Sequence, residues 1–354
     1  MNSKENMIKT LNGFNTGQIP VTLHWWGLYK FELCGVLQDY SREALAWSLS
    51  GSELAEIDSY FYEMFHPDMF HLTTGASKIT ESLAISVDKK RIFEAVYDLE
   101  SYSVIDEYVA AFYEDKSTTI ESGVFDHIKI LSDKYGSNSL LFLNEGNPIS
   151  WILDPHGCVG FENGLISMLE KPDKMEYLIH ECYSALLPRM EALQSMGADG
   201  YIGSETYCSA DIMSPDLYRN LIFEPQKTFY TSIEQIGLIP ITYFLGNVNP
   251  LIEDIKKLGV KGLMIEESKK NFRLDVESIY DKLEKSMCLF GNLDSVKILQ
   301  NGTINEVVDE TIRQTKACNK GAFIMSNGCP LSFSTPPENI IAMIHAARRI
   351  NGSH

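Results

Sequence analysis

Several short stretches of this 354-residue chain set chemically able side chains beside strand-like runs. His24-Trp25-Trp26-Gly27 ends one such run. His24 can donate or accept a proton, and two adjacent tryptophans can wall a flat ligand; packing at a barrel end is the competing use of that pair. Glu205 ends another run and Asp211 precedes a helix cap. A carboxylate in either place can hold a metal or a cation, or act as a general acid or base. Asp211 can equally serve only to shape the loop. Glu266 and Glu267 are adjacent, so they point in different directions and one faces the pocket. That carboxyl would be a proton donor if it lacked a cation; Lys269, Lys270 or Arg273 could instead pair with it. Gly328-Cys329-Pro330 puts a thiol after an apolar run, either as a functional group or as a small hydrophobe. His156 and Cys158, spaced HxC, could join Cys329 in a soft zinc site, although Asp154, Pro155 and Gly157 make a turn the cheaper reading.

These residues need strands to hold them. The β-type runs are Val21–His24, Met69–Thr73, Ser139–Asn144, Gly200–Ser204, Ile239–Phe244, Gly262–Ile265, Cys288–Phe290 and Ala322–Met325. Helical-period segments separate most of them: Lys171–Met196, Ser214–Ile236 with Ser214 as N-cap and Pro215 at its first position, Asn249–Leu258 and Asp275–Lys285. Alternating strand and helix implies parallel strands with crossover helices. No GxGxxG follows the first strand, which disfavours a doubly wound dinucleotide fold. The expected fold is therefore α/β, a (βα)8 TIM barrel in one domain over residues 1–354. It carries an N-terminal helical extension over residues 1–20 and a hairpin insertion over residues 76–120, where Ser82–Val87 is followed by the turn Asp88-Lys89-Lys90. In such a barrel the ligand lies at the C-terminal ends of the strands.

Bulk properties narrow the function. A net charge of −18 argues against nucleic acid and against anionic lipid. No apolar run approaches a membrane span, and the N-terminus has no signal-peptide core. The seven cysteines are odd in number and form no CxxC, as expected of reduced thiols in a cytoplasm.

From about Asn147 to Arg349 the chain resembles the uroporphyrinogen decarboxylase superfamily. The matching motifs are PISW…GFENGL, GADGYI, SPDLYRNLIFEP, GNVNPLIEDIKKLG, GNLD, GTINEVV and GCPLSFSTPPENIIAMI. IPVTLHWWG resembles the family's first barrel strand. The resemblance implies a (βα)8 barrel. Porphyrinogen decarboxylases keep an arginine-rich loop after that strand, whereas HWWGLYKFE has no arginine to grip a polycarboxylate. The corrinoid-dependent thiol methyltransferases of the superfamily show HxCG and a later cysteine as zinc ligands. Here those positions are Tyr243, Phe244, Leu245 and Gly246, with only Cys329 kept, so thiol activation by that zinc arrangement is not expected. A different site using Glu205, Glu267 and Cys329 stays open.

What remains resembles the members that move a methyl group from a small donor, such as a methoxylated aromatic, to the Co(I) corrinoid of a separate protein. His24, Glu205, Glu267 and Tyr243 are the catalytic candidates, since a poor leaving group needs an acid or electrophile. Trp25, Trp26, Phe244, Asn247, Asn292 and Cys329 would line the pocket. The implied cobalamin sits on a partner corrinoid protein, and family members often dimerise. The rival readings are transfer from methylcorrinoid to a thiol or another acceptor, a decarboxylase-type lyase, and a non-catalytic binding barrel.

Overall fold

The computed structural model describes residues 1–25, 29–36, 48–78, 87–268 and 271–349. Seven parallel strands follow one another in chain order: β1 (Met69–Leu72), β2 (Leu140–Gly146), β3 (Gly200–Glu205), β4 (Ile239–Phe244), β5 (Gly262–Ile265), β6 (Cys288–Phe290) and β7 (Phe323–Ile324). The ring closes through the first predicted run. Val21 bridges Met325 and Thr22 bridges Met69, both parallel. The Thr22 amide donates to the Met325 carbonyl at 3.0 Å. The expected TIM barrel is therefore present, its eighth staves being these two residues.

Strand alternation sorts the side chains. Met69, Leu140, Phe142, Ile202, Ile241, Met264, Cys288, Phe290 and Ile324 fill the lumen. Met7 and Leu11 of the N-terminal helix Ser3–Leu11 join them, so this helix plugs the barrel. Its capping box, Asn2 with Glu5, satisfies backbone amides at its start. A second, larger apolar layer lies between strands and helices. Each fully buried aliphatic side chain there contributes roughly 1.5–3 kcal/mol.

Two expected helices are divided. Lys171–Met196 is two helices, Pro172–Ala185 and Leu187–Ser195, because Pro188 has no N–H for the Ser184 carbonyl. Ser214–Ile236 is likewise Pro215–Leu221 and Phe223–Ile236, broken before Pro225. The Ser214 cap stands as expected, accepting from the Leu217 amide at 3.1 Å. The insertion is corrected. Residues 79–86, which hold most of the expected strand, lie outside the described residues, and Asp88-Lys89-Lys90 is no turn. It opens the helix Val87–Val96, where Asp88 suits the positive end of the helix dipole. Helices Tyr102–Phe112 and Lys116–Ser122 follow.

Candidate active site

Lumen-facing positions at the C-terminal ends of the strands turn from apolar to polar. Two residues beyond Met69 on β1 comes His71, and beyond Phe142 on β2 comes Asn144. After Ile202 comes Ser204, after Ile241 comes Tyr243, and after Met264 comes Glu266. His24 arrives from the closing segment, two residues past Thr22, and Cys329 from the loop after β7.

These groups touch in sequence across the mouth. The Ser204 hydroxyl donates to Asn144 Oδ1 at 2.7 Å. Asn144 Nδ2 lies 2.5 Å from His71 Nε2. The His71 and His24 rings stack nearly parallel, with centroids 4.7 Å apart. Tyr243 meets His24 edge-on at 4.5 Å. Its hydroxyl is 3.8 Å from Cys329 Sγ, which lies 3.8 Å from Glu266 Oε2. His24, His71 and Tyr243 are fully buried, while Ser204, Leu245 and Cys329 are partly exposed and mark the opening.

The positions are held from behind. His24 Nδ1 contacts the Gly328 carbonyl at 2.9 Å, so that nitrogen carries the hydrogen. The Asn327 amide side chain accepts from the His24 N–H and donates to its carbonyl. Trp25 Nε1 donates to the His71 carbonyl at 2.8 Å. Burial, then the neighbouring His24 and Lys30, holds His71 well below the ordinary imidazole range, so it is neutral near pH 7. Burial, helped by Cys329 and the two glutamates, holds the Tyr243 phenol well above its usual range, so it keeps its proton.

Of the ten site residues expected from sequence, the structure brings His24, Tyr243 and Cys329 together. Trp26 lies outside the described residues. Glu267 lies beside them, close enough to act on Tyr243, and the others are placed elsewhere. Glu205 sits at an outward-facing position of β3, fully buried behind the sheet. Tyr230 and Gln226 donate to its oxygens, each at 2.5 Å, and Asn147 and Cys208 also donate. Burial pushes this carboxyl up to about 7, against the lowering effect of Tyr230, Cys208 and Asn147. Trp25 also points outward, edge-on to Phe61 at 4.2 Å, and walls no pocket. Phe244 belongs to the same outer layer. Asn247 shapes a loop: its amide donates to Asp211 at 2.7 Å and its side chain caps Asn249. Asn292 clamps two loops by donating to the carbonyls of Glu266 and Leu274.

Glu267 stands at the edge of this group. Its carboxylate packs on Gly328, where an added Cβ would lie 2.5 Å from Oε2. Glu266, its neighbour, reaches Cys329 instead. The signal was available in Gly262, Met264 and Glu266, which share one face of β5 and its extension. His71 and Asn144 were missed as partners because nothing in the sequence pairs them.

The zinc arrangement of the thiol-activating relatives does not fit. Tyr243 offers a neutral phenol beside Cys329, and Leu245, packed on the lumen cluster, offers only an alkyl group. Among the described residues, no three His, Cys, Asp or Glu side chains gather as a metal site. The Glu205, Glu267 and Cys329 alternative is not assembled either, and His156 is exposed while Cys158 is buried. No helix among the described residues is long and apolar enough to cross a membrane.

The chain is 24% identical over 225 residues to the methylcobamide:CoM methyltransferase MtbA of Methanosarcina acetivorans, covering 64% of this chain and 62% of that one. It is 25% identical over 223 residues to the methylcobamide:CoM methyltransferase MtaA of Methanosarcina barkeri, covering 63% and 62%. The match thus spans less than two thirds of these relatives' length. A solved methyltransferase from Methanosarcina mazei has the same fold, with a TM-score of 0.73, 19% identity and 98% of both chains covered. The uroporphyrinogen decarboxylase (URO-D) family model matches residues 2–350, and the chain belongs to that family.

Proposed function

We propose that this barrel is a corrinoid-dependent methyltransferase that takes a methyl group from a small donor and passes it to the Co(I) corrinoid of a partner protein. A methoxylated aromatic is the donor that suits the site. One observation carries the reading. Tyr243, Cys329 and Glu266 form a hydrogen-bonded line beside His24, where thiol-activating relatives keep metal ligands.

The reaction asks two things of the protein. When the corrinoid docks, its cobalt supplies the nucleophile, so no thiolate must be made in this lumen. The C–O bond then breaks with its electron pair left on oxygen. In a dry pocket that charge is costly unless a donor meets it. Tyr243 keeps a neutral O–H for this task, and His24 holds its ring edge-on against it. The line through Cys329 to Glu266 gives the phenol a relay along which a proton taken up from water can replace the one it donates. His24, Tyr243 and Glu266 are the catalytic groups in this reading, and Cys329 links two of them. The protein would work in the cytoplasm, beside its corrinoid partner.

The test mixes the chain with reduced corrinoid protein and a panel of methoxylated aromatics, and follows the cobalt spectrum. Methylation of cobalt is expected, and Tyr243→Phe should slow it roughly 100-fold, in the range for loss of a positioned acid. No methylation from any donor would sink the reading. The relatives' names favour a second one, in which methylcobamide gives its methyl group to a thiol such as CoM. Demethylation of methylcobamide by added CoM, at a rate set by the chain, would establish that alternative.

A further inference from the structure

His71 is a buried imidazole with one end engaged and the other unsatisfied. Its Nε2 faces the Asn144 amide nitrogen, whose oxygen is already taken by Ser204. An amide nitrogen only donates, so Nε2 must accept and the ring hydrogen resides on Nδ1. That Nδ1 has no hydrogen-bond partner among the described residues, and the side chain is completely buried. A buried donor left unpaired is costly, and one at the mouth of a lumen is placed for a ligand to complete. The ring is held in place meanwhile. It shares the lumen face with Met69, stacks on His24 at 4.7 Å, and its backbone is tied by Trp25.

We infer that His71 Nδ1–H is a substrate-binding donor, which receives the oxygen acceptor of an O-methylated donor molecule. This rests on the reading of the site as donor-side methyl transfer, and deepens it by selecting the donor class. An ether or phenol oxygen supplies the missing acceptor, whereas a quaternary ammonium donor has none to offer. As the C–O bond breaks and charge gathers on that oxygen, the same N–H holds it more tightly. The Ser204–Asn144 pair then acts as the positioning device, since it fixes which ring nitrogen carries the hydrogen.

The position of the donor gives a sharp test. The amide nitrogen of asparagine falls near Nδ1 of histidine, and that of glutamine near Nε2. With 2-methoxyphenol as donor, His71→Gln should lower the kcat of cobalt methylation at least about tenfold more than His71→Asn does, the scale of losing one donor to a developing anion. A merely structural role, holding Asn144, would reverse that order. Thermal melts identify any variant that fails to fold. In that event, nitrogen-15 histidine spectra of the wild-type protein decide. They should show a protonated Nδ1 on His71 whose signal moves when 2-methoxyphenol is added. An active wild type whose His71 signal stays still, or whose His71→Gln variant is as fast as His71→Asn, overturns the inference but leaves the proposed function standing. A wild type inactive with every methoxylated aromatic removes both.

Discussion

Glu205 makes stability depend on pH in an unusual direction. The carboxyl is fully buried, and burial pushes it from 4.5 up to about 7. Below 4.5 the group is protonated in both folded and unfolded chains and adds no pH dependence. Between 4.5 and 7 the unfolded chain releases the proton while the folded chain keeps it. Stability therefore falls as pH rises through this window, by about 1.4 kcal/mol per unit at most. The full loss, complete above about 7, is on the order of 3 kcal/mol from the shift of about 2.5 units. Glu205→Gln keeps the shape and cannot ionise. Denaturant unfolding of both proteins from pH 4.5 to 8 isolates this one group, because other titrations cancel in the difference. The variant should gain about 3 kcal/mol on wild type across the window. A flat difference would refute the argument. A difference of opposite slope would show that the donors Asn147, Gln226 and Tyr230 outweigh burial. The result reaches the site, because these donors come from the start of the helix after β2 and from Phe223–Ile236.

Two further substitutions probe the mouth. Gly328→Ala would set a Cβ 2.6 Å from the Glu267 backbone nitrogen, so the loop carrying Cys329 must move; a loss of roughly 1–3 kcal/mol in stability is expected, with slower methyl transfer, and unchanged melting would refute the close packing. Replacing Tyr243 by His and Leu245 by Cys together restores two ligand types on the lumen side of β4 and its extension, one of them beside Cys329. This double variant should retain one zinc per chain through gel filtration, and adding Cys329→Ser should release it.

The barrel was legible because its signals are local and repeated. β4, β5 and β6 coincide with the runs read from sequence, since short apolar segments bounded by turns leave little else to be. The Ser214 cap was legible for the same reason, with Pro215 directly after it. Misreadings arose where a local cue had two meanings. Asp88-Lys89-Lys90 is polar enough for a turn, but an acid at the head of a helix is equally favourable. Adjacent strand residues face opposite ways, so of the pairs His24–Trp25 and Tyr243–Phe244, each named together, only the first member faces the lumen. Glu205 shows the limit. Its position at a strand end was right, but its partners Gln226 and Tyr230 lie on a helix that only the fold brings close.

The distribution of charge bears on the chemistry. The residues that line the mouth are chiefly hydroxyl, amide, imidazole, phenol and thiol, and burial keeps His71 and Tyr243 neutral. Lys30, the nearby buried cation, is matched by Asp58 at 2.9 Å outside the lumen. These neutral donors, with the Glu266 carboxyl group behind Cys329, can bind a neutral ether. In the proposed reaction the site becomes most favourable when negative charge appears on the departing oxygen. Such a site gains affinity between ground state and transition state, which is what catalysis requires. A fixed cation would have bound an anionic product strongly and slowed its release. The same reasoning predicts that the donor molecule carries no charge next to its methyl group, and that product release speeds up once the leaving oxygen has taken its proton from Tyr243.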